Sequence, residues 1–227
     1  HFFNLGLDVP RVLAVSDDEM CYVQQDLGNI LLFDYIAEGR KTGVFSAPEK
    51  EMLRKTIRGL AKFQMTGAKN FDFNQCYPQA EFNHRSIQWD LNYFKYCFLK
   101  ATGLEFQEDL LENEFERLAY ILLNTQDMCA FMYRDFQSRN VMICKDSNGE
   151  DVPYFIDFQG GRRGPLYYDV ASFLWQAKAN FHPNLREELL EEYLDELQKY
   201  ISVDRNVFYD TLKHFVLFRT MQVLGAY

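Results

Sequence analysis

The residues best suited to chemistry lie in one segment: Tyr133-Arg134-Asp135-Phe136-Gln137-Ser138-Arg139-Asn140-Val141-Met142, followed by Tyr154-Phe155-Ile156-Asp157-Phe158-Gln159. An Asp in a polar loop can hold a hydroxyl and accept its proton. An Asn five positions later, entering a strand, offers an amide oxygen to a hard cation, and an Asp leaving the returning strand offers carboxylate oxygens to the same ion. Phosphoryl transfer needs this kind of help, namely an acceptor held in line and charge neutralised by metal. An Asp-x-x-x-x-Asn pair by itself is commonplace in solvated loops. The ordered set of loop Asp, Asn at strand entry, hairpin and Asp at strand exit is far more specific.

The elements that must position this set are legible from patterning. Val141 to Cys144 and Pro153 to Ile156 read as two strands around the turn Lys145-Asp146-Ser147-Asn148-Gly149, so Asn140 and Asp157 meet at the open end of a hairpin. A second hairpin pairs Arg11 to Val15 with Met20 to Val23. Residues 30–38 suit a short helix and 39–46 a loop. From Pro48 a helix starts, with Ser46 as cap and Leu53, Ile57, Leu60, Ala61 and Gln64 on one face. Further helices are expected over Ser86 to Ala101, largely buried because its apolar residues nearly encircle it, and over Leu110 to Asn124. Others follow from Asp169 onward, from Pro183 to Tyr200 and from Asn206 to Leu224. The fold class is α+β, mostly helical with two small embedded hairpins.

Composition excludes several classes. The 227 residues carry 33 Asp and Glu against 24 Lys and Arg, a formal charge of −9, which disfavours a nucleic-acid surface. No apolar run reaches membrane-helix length, so no membrane partner is expected and the location is expected to be cytoplasmic. The five cysteines form no Cys-x-x-Cys pair and read as buried thiols. The first residues read as the tail of something longer, with flanking domains possible.

The segment resembles the catalytic loop of protein kinases, and more closely that of the aminoglycoside phosphotransferase and choline kinase superfamily. With Gly164-Pro165-Leu166-Tyr167-Tyr168-Asp169-Val170-Ala171-Ser172, it is most similar to bacterial N-acetylmuramate/N-acetylglucosamine anomeric kinases. The resemblance implies a protein-kinase-like fold: residues 1–28 would be a remnant of the N-terminal lobe and hinge, and 29–227 the helical catalytic lobe. It implies ATP as co-substrate, Mg²⁺, and a small acceptor such as an amino sugar. Asp135 would be the catalytic base, Asn140 and Asp157 the metal ligands, and Gln24, Gln25 and Asp26 the hinge against adenine. Asp169 would brace the catalytic loop, with Arg134 supporting it; a plain helix cap is the other reading of Asp169. Tyr133 stands where many relatives have His, and Gln159 where protein kinases have Gly. A Gly-rich phosphate loop and its Lys, which relatives place upstream, are missing, so the 227 residues alone are expected to be inactive.

Weaker candidates surround this set. Trp89, Asp90 and Tyr93 could meet a sugar, though core packing explains the aromatics as well. Gln137, Arg139 and Gln159 lie near enough in sequence to touch substrate, and Arg134 and Arg139 suit either phosphate or structural ion pairs. Arg162 and Arg163 read foremost as a solvated loop. His84, His182 and His214 read as surface or capping residues, and Glu187 to Glu192 as a solvated acidic face. An aminoglycoside acceptor, which would call for an acidic pocket, and a non-catalytic kinase-like module are the competing functions.

Overall fold

The computed structural model describes residues 1–125 and 128–226. Its frame is the 21-residue helix α3, Ala47–Gly67. A capping box closes its start: Ser46 Oγ accepts from Glu49 N, and Glu49 returns a bond to Ser46 N at 2.8 Å. Glu49 also accepts from Gly39 N at 2.9 Å, tying α3 to the short helix α2, Ala37–Thr42. The buried face of α3, from Leu53 through Phe63, packs on α7, Pro183–Leu197, and on the strands that carry the site.

Three two-stranded antiparallel sheets surround this frame. Strands β1, Val12–Val15, and β2, Tyr22–Gln24, form the first hairpin, exposed throughout. Strand β3, Cys129–Met132, pairs with β6, Arg162–Pro165, while β4, Val141–Lys145, pairs with β5, Asp151–Phe155. The last hairpin is docked at both edges: Phe155 N donates to Asp8 O, and Ile143 N to Ile30 O, both at 2.8 Å. The remaining helices are α1 (Leu32–Tyr35), α4 (His84–Tyr93), α5 (Glu108–Leu123), α6 (Leu166–Leu174) and α8 (Arg205–Gly225).

The core is aromatic. Phe63 meets Phe2, Phe131, Tyr133, Phe155 and Phe158, so α3, the chain start and both functional strands share one cluster. Such pairs add about 0.5–1.5 kcal/mol each beyond the area they bury.

Several expectations need correction. The loop expected over 39–46 is helical to Thr42, because Gly39 N finds a buried acceptor in Glu49. Arg162 to Pro165 is a strand rather than a solvated loop, and Arg162 is buried; the pairing comes from β3, not from local propensity. The element expected over 86–101 begins at His84 and passes at Phe94 into a π turn and then a 3₁₀ turn. Only one of its faces is covered, so Trp89, Tyr93 and Tyr96 stay exposed. The acidic face of α7 is not merely solvated: Glu188 pairs with Arg54 and Lys50, and Glu192 with Arg54 and Arg58, all from α3. None of the thiols is fully buried, and Cys21 and Cys97 are exposed. His182 caps α7, and His84 pairs at the surface with Glu116. No described helix is long and apolar enough to cross a membrane.

Candidate active site

The loop between β3 and β4 carries Asp135, and its shape is enforced from behind. Arg134 adopts φ +77°, a left-handed conformation that costs a non-glycine residue about 1–3 kcal/mol. Asp169, fully buried on α6, supplies the compensation: its two oxygens accept Tyr133 N at 2.7 Å and Arg134 N at 2.8 Å. It is not the helix cap, a position held by Pro165. Gln64 on α3 donates to Asp169 at 3.0 Å and accepts from Tyr193 OH at 2.6 Å, which fixes the carboxylate's orientation. Burial pushes the Asp169 pKa up to about 7, against the downward pull of these donors.

Phe136 anchors the next position, buried among Tyr133, Phe155 and Phe173. Between these two anchors Asp135 is held out towards the polar side. Gln137 Nε2 donates to Asp135 Oδ1 at 2.9 Å, and Asn140 Nδ2 to Asp135 Oδ2 at 3.1 Å and Asp135 O at 2.8 Å. Farther along the loop, Gln176 Oε1 accepts from both Ser138 N and Ser138 Oγ.

The hairpin closes the constellation. Ile156 N donates to Asn140 O at 3.1 Å, so Asn140 and Asp157 are neighbours across the open end of β4 and β5. Asp157 also takes a left-handed turn, φ +68°, and receives Gln159 Nε2 at 2.7 Å. Tyr133 donates its hydroxyl to Ile156 O and so ties the loop to the end of the strand that leads to Asp157. Burial and the surrounding carboxylates hold that phenol well above its ordinary pKa, as a donor.

These residues fit a hard cation. The amide nitrogen of Asn140 is spent on Asp135, which leaves its amide oxygen without a protein donor among the described residues. Asp157 adds carboxylate oxygen. A pair of oxygen ligands that leaves room for water and phosphate is what Mg²⁺ takes at such sites.

The other candidates divide. Asp90 is only 8% exposed and accepts from Arg134 Nη2 at 3.4 Å, whereas Trp89 is 50% exposed, so the two neighbours face opposite ways. Tyr93 is also about half exposed, its ring lying close against Gly225 of α8. Arg139 lies over the Phe33 ring. Gln24 ends β2; Gln25 is bonded to Arg11 through backbone and side chain, and Asp26 accepts from Gly28 N. Gln64 and Gln176 escaped sequence reading as site residues. The available signal was an amide, Gln64, on an otherwise apolar helix face.

Residues 1–202 match the family model described as the phosphotransferase enzyme family. The chain belongs to that family. It is similar to an N-acetylmuramate/N-acetylglucosamine kinase of Neisseria meningitidis serogroup B, 26% identical over 192 residues, covering 82% of this chain and 52% of the relative. A kinase of the same name from Pseudomonas aeruginosa is 24% identical over 168 residues, covering 73% and 44% respectively. The chain thus spans about half the length of the curated relatives it matches. Among solved structures, an amicoumacin kinase in complex with AMP-PNP, Ca²⁺ and Ami superposes with a TM-score of 0.63 at 12% identity. That match covers 99% of this chain and 66% of the other, so the chain has the kinase-like fold.

Proposed function

We propose that the protein is a small-molecule kinase that transfers the γ-phosphate of ATP to a hydroxyl, with the anomeric hydroxyl of an amino sugar as the acceptor. The observation that carries this reading is the meeting of Asp135, Asn140 and Asp157 at one loop and one hairpin end, braced by Asp169. Asp135 orients the acceptor hydroxyl and takes its proton. Asn140 and Asp157 hold Mg²⁺, which when bound neutralises the phosphate charge. Gln159 and Gln137 hold the two carboxylates in position, and Arg134 supports the loop through Asp90. ATP is supported by the AMP-PNP bound to the fold neighbour, and the amino sugar by the names of the two relatives.

The residues Gln24 to Asp26 serve in this reading as the hinge against adenine, and the exposed β1–β2 hairpin as the edge of a further lobe that covers the phosphates. In this reading residues 1–227 alone are folded but inactive, and the location is the cytoplasm. An aminoglycoside acceptor fits less well, because the cavity beside the loop is lined by Arg139, Lys178 and Arg219 and, among the described residues, by no Asp or Glu. A non-catalytic module has no chemical need for all three site residues.

The test is phosphorylation of N-acetylmuramate and N-acetylglucosamine by the full-length protein, alongside choline and aminoglycosides. Asp135→Ala is expected to lower kcat at least about a hundredfold. Full turnover by that variant would remove Asp135 as the base.

A further inference from the structure

A cavity of about 570 Å³ opens beside the catalytic loop, between the loop, α6 and α8. Gln137 is part of its wall and donates to Asp135 at 2.9 Å, so the group that would take the acceptor's proton lies one hydrogen bond from the lining. Three cations, Arg139, Lys178 and Arg219, line it, and among the described residues no Asp or Glu does. In a chain with 33 acidic and 24 basic residues this wall runs against composition.

The three charges are not used up by the fold. None of them forms an ion pair among the described residues. Arg139 has only the Phe33 ring beneath it, and Lys178 meets Arg40 through its backbone carbonyl rather than its ammonium. Arg219 donates to Tyr168 OH, to Ser172 Oγ and to Gln222, all neutral, and its Nε has no acceptor. Behind this wall Arg134, Arg162 and Arg219 all act on the buried carboxylate of Asp90, and Arg219 acts also on that of Asp169. Asp135 itself is engaged by Gln137 and Asn140.

We infer that this cavity selects an anionic acceptor: Arg139, Lys178 and Arg219 receive a carboxylate carried by the molecule whose hydroxyl faces Asp135. The inference rests on the proposed assignment of Asp135, and it narrows the acceptor class from amino sugars in general to those that bear an acid. A partly desolvated guanidinium or ammonium against a carboxylate supplies enough to favour the acid about tenfold over its neutral counterpart.

Calorimetric titration of the full-length protein with matched pairs tests this. N-acetylmuramate differs from N-acetylglucosamine, and glucuronate from glucose, by the carboxylate-bearing group. Each acid is expected to bind at least about tenfold tighter than its neutral partner, and Lys178→Gln or Arg139→Gln to cut that ratio to about threefold or less. Both side chains lie outside the core, so the variants read binding rather than folding. Equal affinity within the pairs, tighter binding of cationic glucosamine, no binding of either acid, or ratios unchanged in both variants would overturn the inference. Phosphorylation is scored separately. Acids that bind tightly but are never phosphorylated sink the amino-sugar kinase reading and leave the anion site standing; phosphorylation of both amino sugars without preference does the reverse.

Discussion

At the scale of single residues, Asp169 shows how one buried carboxylate shapes a loop it never enters. Both of its oxygens are committed to backbone N–H groups, and one of those belongs to the strained Arg134. In Asp169→Asn an amide NH₂ faces one of these donors, so about 1–3 kcal/mol of stability is lost and kcat falls with it. The pH dependence has a definite sign. Because the folded-state pKa is raised to about 7, the folded state binds the proton more tightly than the unfolded chain. The ionised form is therefore the costly one, and its cost is relieved as pH falls from about 7 towards the ordinary carboxylate range. Over that window the wild type is expected to gain up to about 1.4 kcal/mol per pH unit relative to Asp169→Asn. Parallel urea melts of the two proteins from pH 8 to pH 5 measure this, and superimposable profiles would refute it.

At the scale of elements, the contact between α3 and β5 decides where Asp157 stands. A Cβ on Gly59 would lie 2.5 Å from Cζ of Phe155, whose ring is packed between Phe63 and Phe136 and cannot withdraw. In an open helix Gly→Ala gains about 1 kcal/mol. Here overpacking reverses the sign, and Gly59→Ala is expected to destabilise by about 1–3 kcal/mol. Phe155 ends the strand two residues before Asp157, so kcat should fall too. A variant with a higher urea midpoint than the wild type would contradict this packing argument. The same logic explains β6: Gly164 is needed because a side chain there would meet Met132 Sδ at 2.8 Å on the paired strand.

At the scale of the whole molecule, burial and not charge holds the long helices together. Leu189, Leu190, Tyr193 and Leu194 of α7 are buried against the rest of the core, while the ladder of Arg54, Arg58, Glu188 and Glu192 runs along the rim. These side chains are about one-third exposed, so solvent screens them. Glu188→Ala is expected to cost no more than about 1 kcal/mol, and less still in about 1 M salt. A loss of several kcal/mol on thermal or urea unfolding would show that the ladder carries the α3–α7 interface. At the same scale the molecule combines an overall charge of −9 with a basic cavity, so overall charge did not foretell the sign of the site.

The parts of this protein that its sequence determined by itself are those closed by short stretches of chain. Asp135, Asn140 and Asp157 lie on one loop and one hairpin whose turn is encoded between them, and the period of α3 and the Ser46 cap are equally local. What only tertiary structure decided depends on partners brought from afar. Arg162-Arg163-Gly164-Pro165 has no strand pattern and becomes a strand because β3 offers its edge. Asp169 reads as a possible cap until the two N–H groups of a loop more than thirty residues earlier arrive at it. Arg219 and Lys178 come from separate elements and acquire meaning only where α8 packs against α6 beside the loop. Local hydrogen bonding and side-chain periodicity are written in neighbouring residues, whereas the face a helix turns towards a cavity is set by the packing of the whole core.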